Sequence, residues 1–124
     1  MYAQALSAHA SGGAAVPGFD VLLLGMGPDG HVASLFPGHA ALEVVGRTVV
    51  GILDSPKPPP ERVSLTFPAI RAAREVWIVA AGSEKSIAVH AALAGLSVSS
   101  APAGHATGTE ETLWLIDAAA AASA

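Results

Sequence analysis

Residues 19–31 read Phe19-Asp20-Val21-Leu22-Leu23-Leu24-Gly25-Met26-Gly27-Pro28-Asp29-Gly30-His31, an apolar run that ends abruptly in glycine. A continuous apolar stretch of this length, interrupted only by Asp20, predicts a buried strand over residues 19–24. The glycines behind it let the backbone turn and approach another group closely, and they deliver a carboxylate and an imidazole two positions apart. On a helix such side chains diverge; in a turn they converge. Histidine suits general-base chemistry at neutral pH, and a carboxylate beside it orients the ring and stabilises its protonated form. The plainer alternative, an Asx turn at Asp29 with His31 closing a strand end, is equally compatible with the bare loop.

The same letters match Gly-x-Gly-x-x-Gly, the dinucleotide fingerprint, but that fingerprint requires a long helix directly after the glycines. Pro37-Gly38 arrives too early for one, and at the ribose-acid position only Asp54 is a loose candidate. A dinucleotide site is therefore rejected.

Outward from this loop, residues 2–10 have helical composition, broken by Ser11, Gly12, Gly13 and Pro17. Residues 47–53 are rich in β-branched side chains and predict a strand. It ends in Asp54-Ser55-Pro56-Lys57-Pro58-Pro59-Pro60, which must be a stiff loop. Residues 62–66 alternate as a strand does, and Thr66 followed by Pro68 suits the start of a helix reaching residue 74. Residues 75–81 form another apolar strand, and Ser83 is placed to cap a helix running to residue 94, stopped by Gly95. A last strand covers residues 112–116, and the alanine-rich end, 118–124, reads as a frayed helix tail. Strands alternating with helices imply an α/β fold with a mostly parallel sheet and right-handed crossovers. Ligands of such sheets sit at the carboxyl ends of the strands, here Leu24-Gly25 and Ala81-Gly82.

The composition narrows the function. At 124 residues and 52% hydrophobic content, one domain is the ceiling. The net charge of −4 and six scattered Lys and Arg residues disfavour a nucleic-acid partner. The absence of cysteine fits a reducing compartment and a cytoplasmic location. No apolar run approaches the ~18 residues of a membrane span, and the Met1 region lacks the pattern of a secretion signal. His9, His39, His90 and His105 show no zinc-ligand spacing, and Ser34 lies outside any Gly-x-Ser-x-Gly elbow. Neither a metal nor a cofactor is expected. Trp77 and Trp114 lie in apolar strands and are expected in the core. Arg71 reads as a surface residue.

The run from Phe19 to Gly38, with its Gly-Met-Gly-Pro-Asp-Gly-His-Val-Ala-Ser-Leu-Phe-Pro-Gly core, resembles the signature of the 6-phosphogluconolactonases, within the wider group that includes glucosamine-6-phosphate deaminase. Further likeness continues in Pro60-Glu61-Arg62-Val63-Ser64-Leu65-Thr66, in Val79-Ala80-Ala81-Gly82-Ser83-Glu84-Lys85, and in Thr112-Leu113-Trp114-Leu115-Ile116-Asp117. The deaminases share the first motif but continue with Asn-Glu-Pro where this chain has Ser34-Leu35-Phe36-Pro37, so the lactonase is the nearer likeness. The resemblance implies a Rossmann-like sheet and hydrolysis of a sugar-phosphate lactone in the pentose phosphate pathway. His31 would activate water as the catalytic base, Asp29 would orient it, and no metal or covalent intermediate is called for.

It further implies that Lys85, in Gly-x-x-Lys, holds the substrate phosphate; by position alone Lys85 is an ordinary solvated lysine. Lys57 and Arg62, flanking the proline loop, are candidates for phosphate or sugar contacts. The N–H groups around Gly27 and Gly30 are candidate oxyanion donors. Family members are roughly twice as long, so residues 1–124 would be the C-terminal part of a single domain. The first-half Ser-Gly-Gly phosphate loop has no counterpart here, since Ser11-Gly12-Gly13 reads as an ordinary connection. A sheet short of strands exposes edges and apolar faces, so weak or absent activity of the chain alone and self-association through the sheet edge are expected. A deaminase-like enzyme and a non-catalytic sugar-phosphate-binding remnant are the alternatives.

Overall fold

Val21–Gly25 forms β1, Glu75–Ala80 β4 and Glu111–Ile116 β5, and these make one parallel sheet in the order β1-β4-β5. The computed structural model describes residues 1–122, so residues 123–124 of the alanine tail lie outside it. Register pairs Leu24 with Ile78 and Ile78 with Trp114, bringing Leu22, Leu24, Val76, Ile78, Ala80, Trp114 and Ile116 to one face. That face packs on Val32, Leu35, Phe67, Ile70, Ala88 and Val89, and it is the core of the molecule.

The opposite face carries Val21, Leu23, Trp77, Val79, Leu113 and Leu115. Leu23 is 61% exposed and Leu115 44%. The expectation of a strand buried on both sides is corrected here: one face of β1 has no layer over it among the described residues. Trp77 lies on this half-covered face, its indole N–H donating to Glu75 Oε1 at 2.9 Å, and only Trp114 packs on the core.

Val49–Ile52 (β2) and Arg62–Leu65 (β3) do not join the parallel sheet; they pair with each other antiparallel. A parallel return needs a crossover of a dozen or more residues, and the stiff proline loop between them is too short to be one. Four α-helices lie among the described residues: α1, Tyr2–Ala8; α2, Phe67–Arg71; α3, Ser86–Leu93; and α4, Ala118–Ala121. Pro68 occupies the first turn of α2, where its missing N–H costs nothing. Ser83 does not cap α3. Gly82 takes φ 98°, residues Ser83–Lys85 wind as a 3-10 turn, and the α-helix proper begins at Ser86. α4 is shorter than the expected tail but has a cap, Asp117, whose carboxylate accepts from Ala120 N at 2.8 Å.

Candidate active site

Because β1 and β4 run parallel with Gly25 opposite Val79, both glycine-bearing strand ends reach the same edge of the sheet. After Gly25 no helix begins. The backbone instead doubles back, Gly27 N donating to His31 O at 3.0 Å and Gly30 N to Gly27 O at 2.9 Å, with Gly30 at φ 90°. Residues 26–39 thus form a tight turn that a pyrophosphate-binding helix could not follow.

The turn converges Asp29 and His31. Asp29 Oδ1 lies 2.6 Å from His31 Nδ1 and also accepts the His31 backbone N–H at 3.1 Å. The bond assigns the proton of a neutral ring to Nδ1 and leaves the Nε2 lone pair free, with no protein partner among the described residues. Burial raises the Asp29 pKa, but the hydrogen bonds and positive charge from His31, aided by Lys57, outweigh it and hold the carboxyl below its ordinary value. The side chains keep 17% (His31) and 30% (Asp29) exposure, enough for a small molecule to reach them.

Lys85 reaches the same turn. Its Nζ donates to Met26 O, next to Gly27, placing an ammonium at the base of the loop from a position 59 residues away. Lys57 is exposed on the proline loop, close enough for its charge to act on Asp29. Arg62 turns inward on that loop: Nε donates to Pro59 O at 3.0 Å and Nη2 to Lys57 O at 3.0 Å and Pro58 O at 2.8 Å.

The N–H groups of Gly27 and Gly30 are spent within the turn, so neither is available as an oxyanion donor. Gly27 serves another purpose: its bare Cα lets the His31 ring lie directly against it. Asp54, the loose ribose-acid candidate, pairs with His39 Nε2 at 2.8 Å. His90 and His105 donate to backbone carbonyls, and Arg71 lies over the Phe67 ring. No group of three His, Cys, Asp or Glu side chains among the described residues could hold a metal. No helix among them is long and apolar enough to cross a membrane.

Two contacts escape sequence reasoning. Phe36 packs on His31 with ring centroids 4.5 Å apart, and Asp117 accepts from Gly82 N at 3.1 Å, tying the end of β5 to the turn that presents Lys85. Only the cap that the same carboxylate gives α4 had a usable signal, an Asp directly before an alanine run.

The site is thus a glycine turn at the carboxyl edge of a parallel sheet, bearing a histidine–aspartate pair with a lysine beneath it, in an α/β domain. The family model described as "Glucosamine-6-phosphate isomerases/6-phosphogluconolactonase" matches residues 1–114, and the chain belongs to that family. It is 63% identical to the 6-phosphogluconolactonase of Streptomyces coelicolor over 108 residues, covering 87% of this chain and 41% of that one. Identity to the 6-phosphogluconolactonase of Mycobacterium leprae is 52% over 121 residues, 98% of this chain and 49% of the relative. The structure of 6-phosphogluconolactonase from Trypanosoma brucei superposes with a TM-score of 0.80 at 35% identity, over 97% of this chain and 50% of that one. The chain thus spans about half the length of the relatives it matches.

Proposed function

We propose that the chain carries the proton-handling part of a 6-phosphogluconolactonase, with His31 as general base. The observation that bears the weight is the 2.6 Å bond from His31 Nδ1 to Asp29, which leaves Nε2 as an oriented acceptor. Nε2 takes a proton from water as its oxygen adds to the lactone carbonyl. When the tetrahedral intermediate collapses, the ring C–O bond breaks and the protonated imidazole returns the proton to the departing alkoxide. The product is the hydroxy acid, ionised at neutral pH. Asp29 stays ionised and holds the imidazolium while it exists. Lys85, and Lys57 from the proline loop, are assigned to the substrate phosphate, for which a compact ammonium is a suitable point charge.

The dyad is not enclosed. A groove of about 540 Å³ lies elsewhere, between α1 and the approach to β2, lined by Ala3, Val16, Arg47 and Pro68. In this reading the remaining wall over His31 comes from polypeptide equivalent to the rest of the relatives' length, so the chain alone turns over weakly or not at all. Self-association through the free edge of β1 and a cytoplasmic setting belong to the same reading.

The test is lactone hydrolysis at neutral pH, corrected for the spontaneous reaction, with wild type and His31→Ala compared in this chain and in a chimera completed by the Streptomyces coelicolor enzyme's remaining sequence. The chimera should lose about 10²–10⁴-fold in kcat on His31→Ala. Survival of activity within a few-fold would place the base elsewhere.

A further inference from the structure

Arg62 stands near the dyad with its guanidinium bonded to the protein itself. Two of its nitrogens hold three successive carbonyls of the proline loop, those of Lys57, Pro58 and Pro59. Its guanidinium carbon also stands 5.3 Å from the centroid of Phe36, within the range of a cation–π contact. Phe36, 1% exposed, is the ring that packs against His31. One planar group therefore touches both the loop that carries Lys57 and the ring that backs the imidazole.

We propose that Arg62 is a positioning residue: it clamps the proline loop against Phe36 and so holds the His31 ring in the rotamer that bonds Asp29. The fork geometry is the reason for arginine. Three carbonyls bonded in a fixed fan, with the guanidinium near an aromatic ring, match a planar multi-donor cation; a lysine ammonium offers a single point. The Lys57 backbone is held a second time, its N–H donating to Ser55 Oγ at 3.1 Å and its carbonyl accepting from the same hydroxyl at 2.6 Å. Loss of Arg62 therefore acts first on Phe36 and His31, and less on the local turn at Lys57.

This inference rests on the proposed function only for its kinetic arm; the other readout is the tautomer of His31, followed by nitrogen NMR of the ligand-free protein. At a pH where the ring is neutral, wild type should carry its proton on Nδ1. Arg62→Lys, which retains stem and charge, and Arg62→Met should both raise the share of the Nε2–H form at least several-fold, and Phe36→Leu should give the same signature. The exposed neighbour change Val63→Thr should leave the tautomer alone. In the active chimera, Arg62→Lys should lower kcat about tenfold or more with KM within about threefold. An unchanged His31 tautomer in Arg62→Lys overturns the proposal whether or not the protein hydrolyses lactones. So does a rise in KM for the phosphorylated substrate at constant kcat, which would make Arg62 a substrate contact. If the tautomer shifts as stated while wild-type chimera shows no lactonase activity, Arg62 keeps its role and the proposed reaction is what fails.

Discussion

A Cβ added at Gly27 would stand 2.2 Å from His31 Cε1 and Nδ1 and 2.8 Å from Asp29 Oδ1. Real contacts are never so short, and the atoms in the way belong to a side chain that can swing aside, so the backbone would survive and the dyad would not. Gly27→Ala should leave the secondary structure intact and remove the Asp29–His31 bond. The consequence is readable in acid. Because the Asp29 pKa is lowered in the folded state, its stabilisation is complete above the ordinary value of 3.8 and is lost as pH falls through the folded value. Wild type should therefore lose Tm below about pH 4 more steeply than Gly27→Ala, whose displaced imidazole no longer supports the carboxylate. Parallel Tm–pH curves for the two proteins would mean that the ring does not hold Asp29 in its charged form.

Among the elements, the clearest untested tie is Asp117, which accepts from Gly82 N and Ala120 N and has its pKa lowered chiefly by the Ala120 bond and then by the Gly82 bond. Asp117→Ala should let α4 fray and loosen the turn that presents Lys85, speeding hydrogen exchange at Gly82 and Ala120 several-fold while the amides of β4 keep their protection. Unchanged exchange at both sites would reduce the bond to an incidental contact. This tie also marks where sequence reading stops. β1, β4 and β5 are legible because apolar runs bounded by glycine or polar residues have few other interpretations, and Asp29 with His31 is legible because two residues in one turn can only meet locally. The pairing of β2 with β3 is not, since alternation marks a strand without naming its neighbour. Nor is the start of α3: Ser83 has the chemistry of a cap, but the positive φ of Gly82 displaces it into a 3-10 turn. Asp117 with Gly82 and Arg62 with Phe36 are contacts between distant segments, fixed by the assembled sheet and not by any local pattern.

At the scale of the whole molecule the sheet is asymmetric. One face is sealed by α2, α3 and the glycine-turn segment, while the other leaves Leu23, Val79 and Leu115 in neighbouring strands 61%, 42% and 44% exposed. Among the described residues β1 also has a free edge, since β4 occupies only one of its sides. Contiguous apolar surface beside an unpaired strand favours association, and a lysine is the residue that natural edge strands use against it. Wild type should therefore show a sedimentation coefficient that rises with concentration, and Leu23→Lys should restore monomer. Leu23 contributes little to the core, so the exchange should cost within about 0.5 kcal/mol of stability, and circular dichroism should match wild type. A wild-type protein that stays monomeric across the same concentrations would show that the bare face is tolerated in water. Association undiminished by Leu23→Lys would move the contact to another surface, such as the apolar groove beside α1.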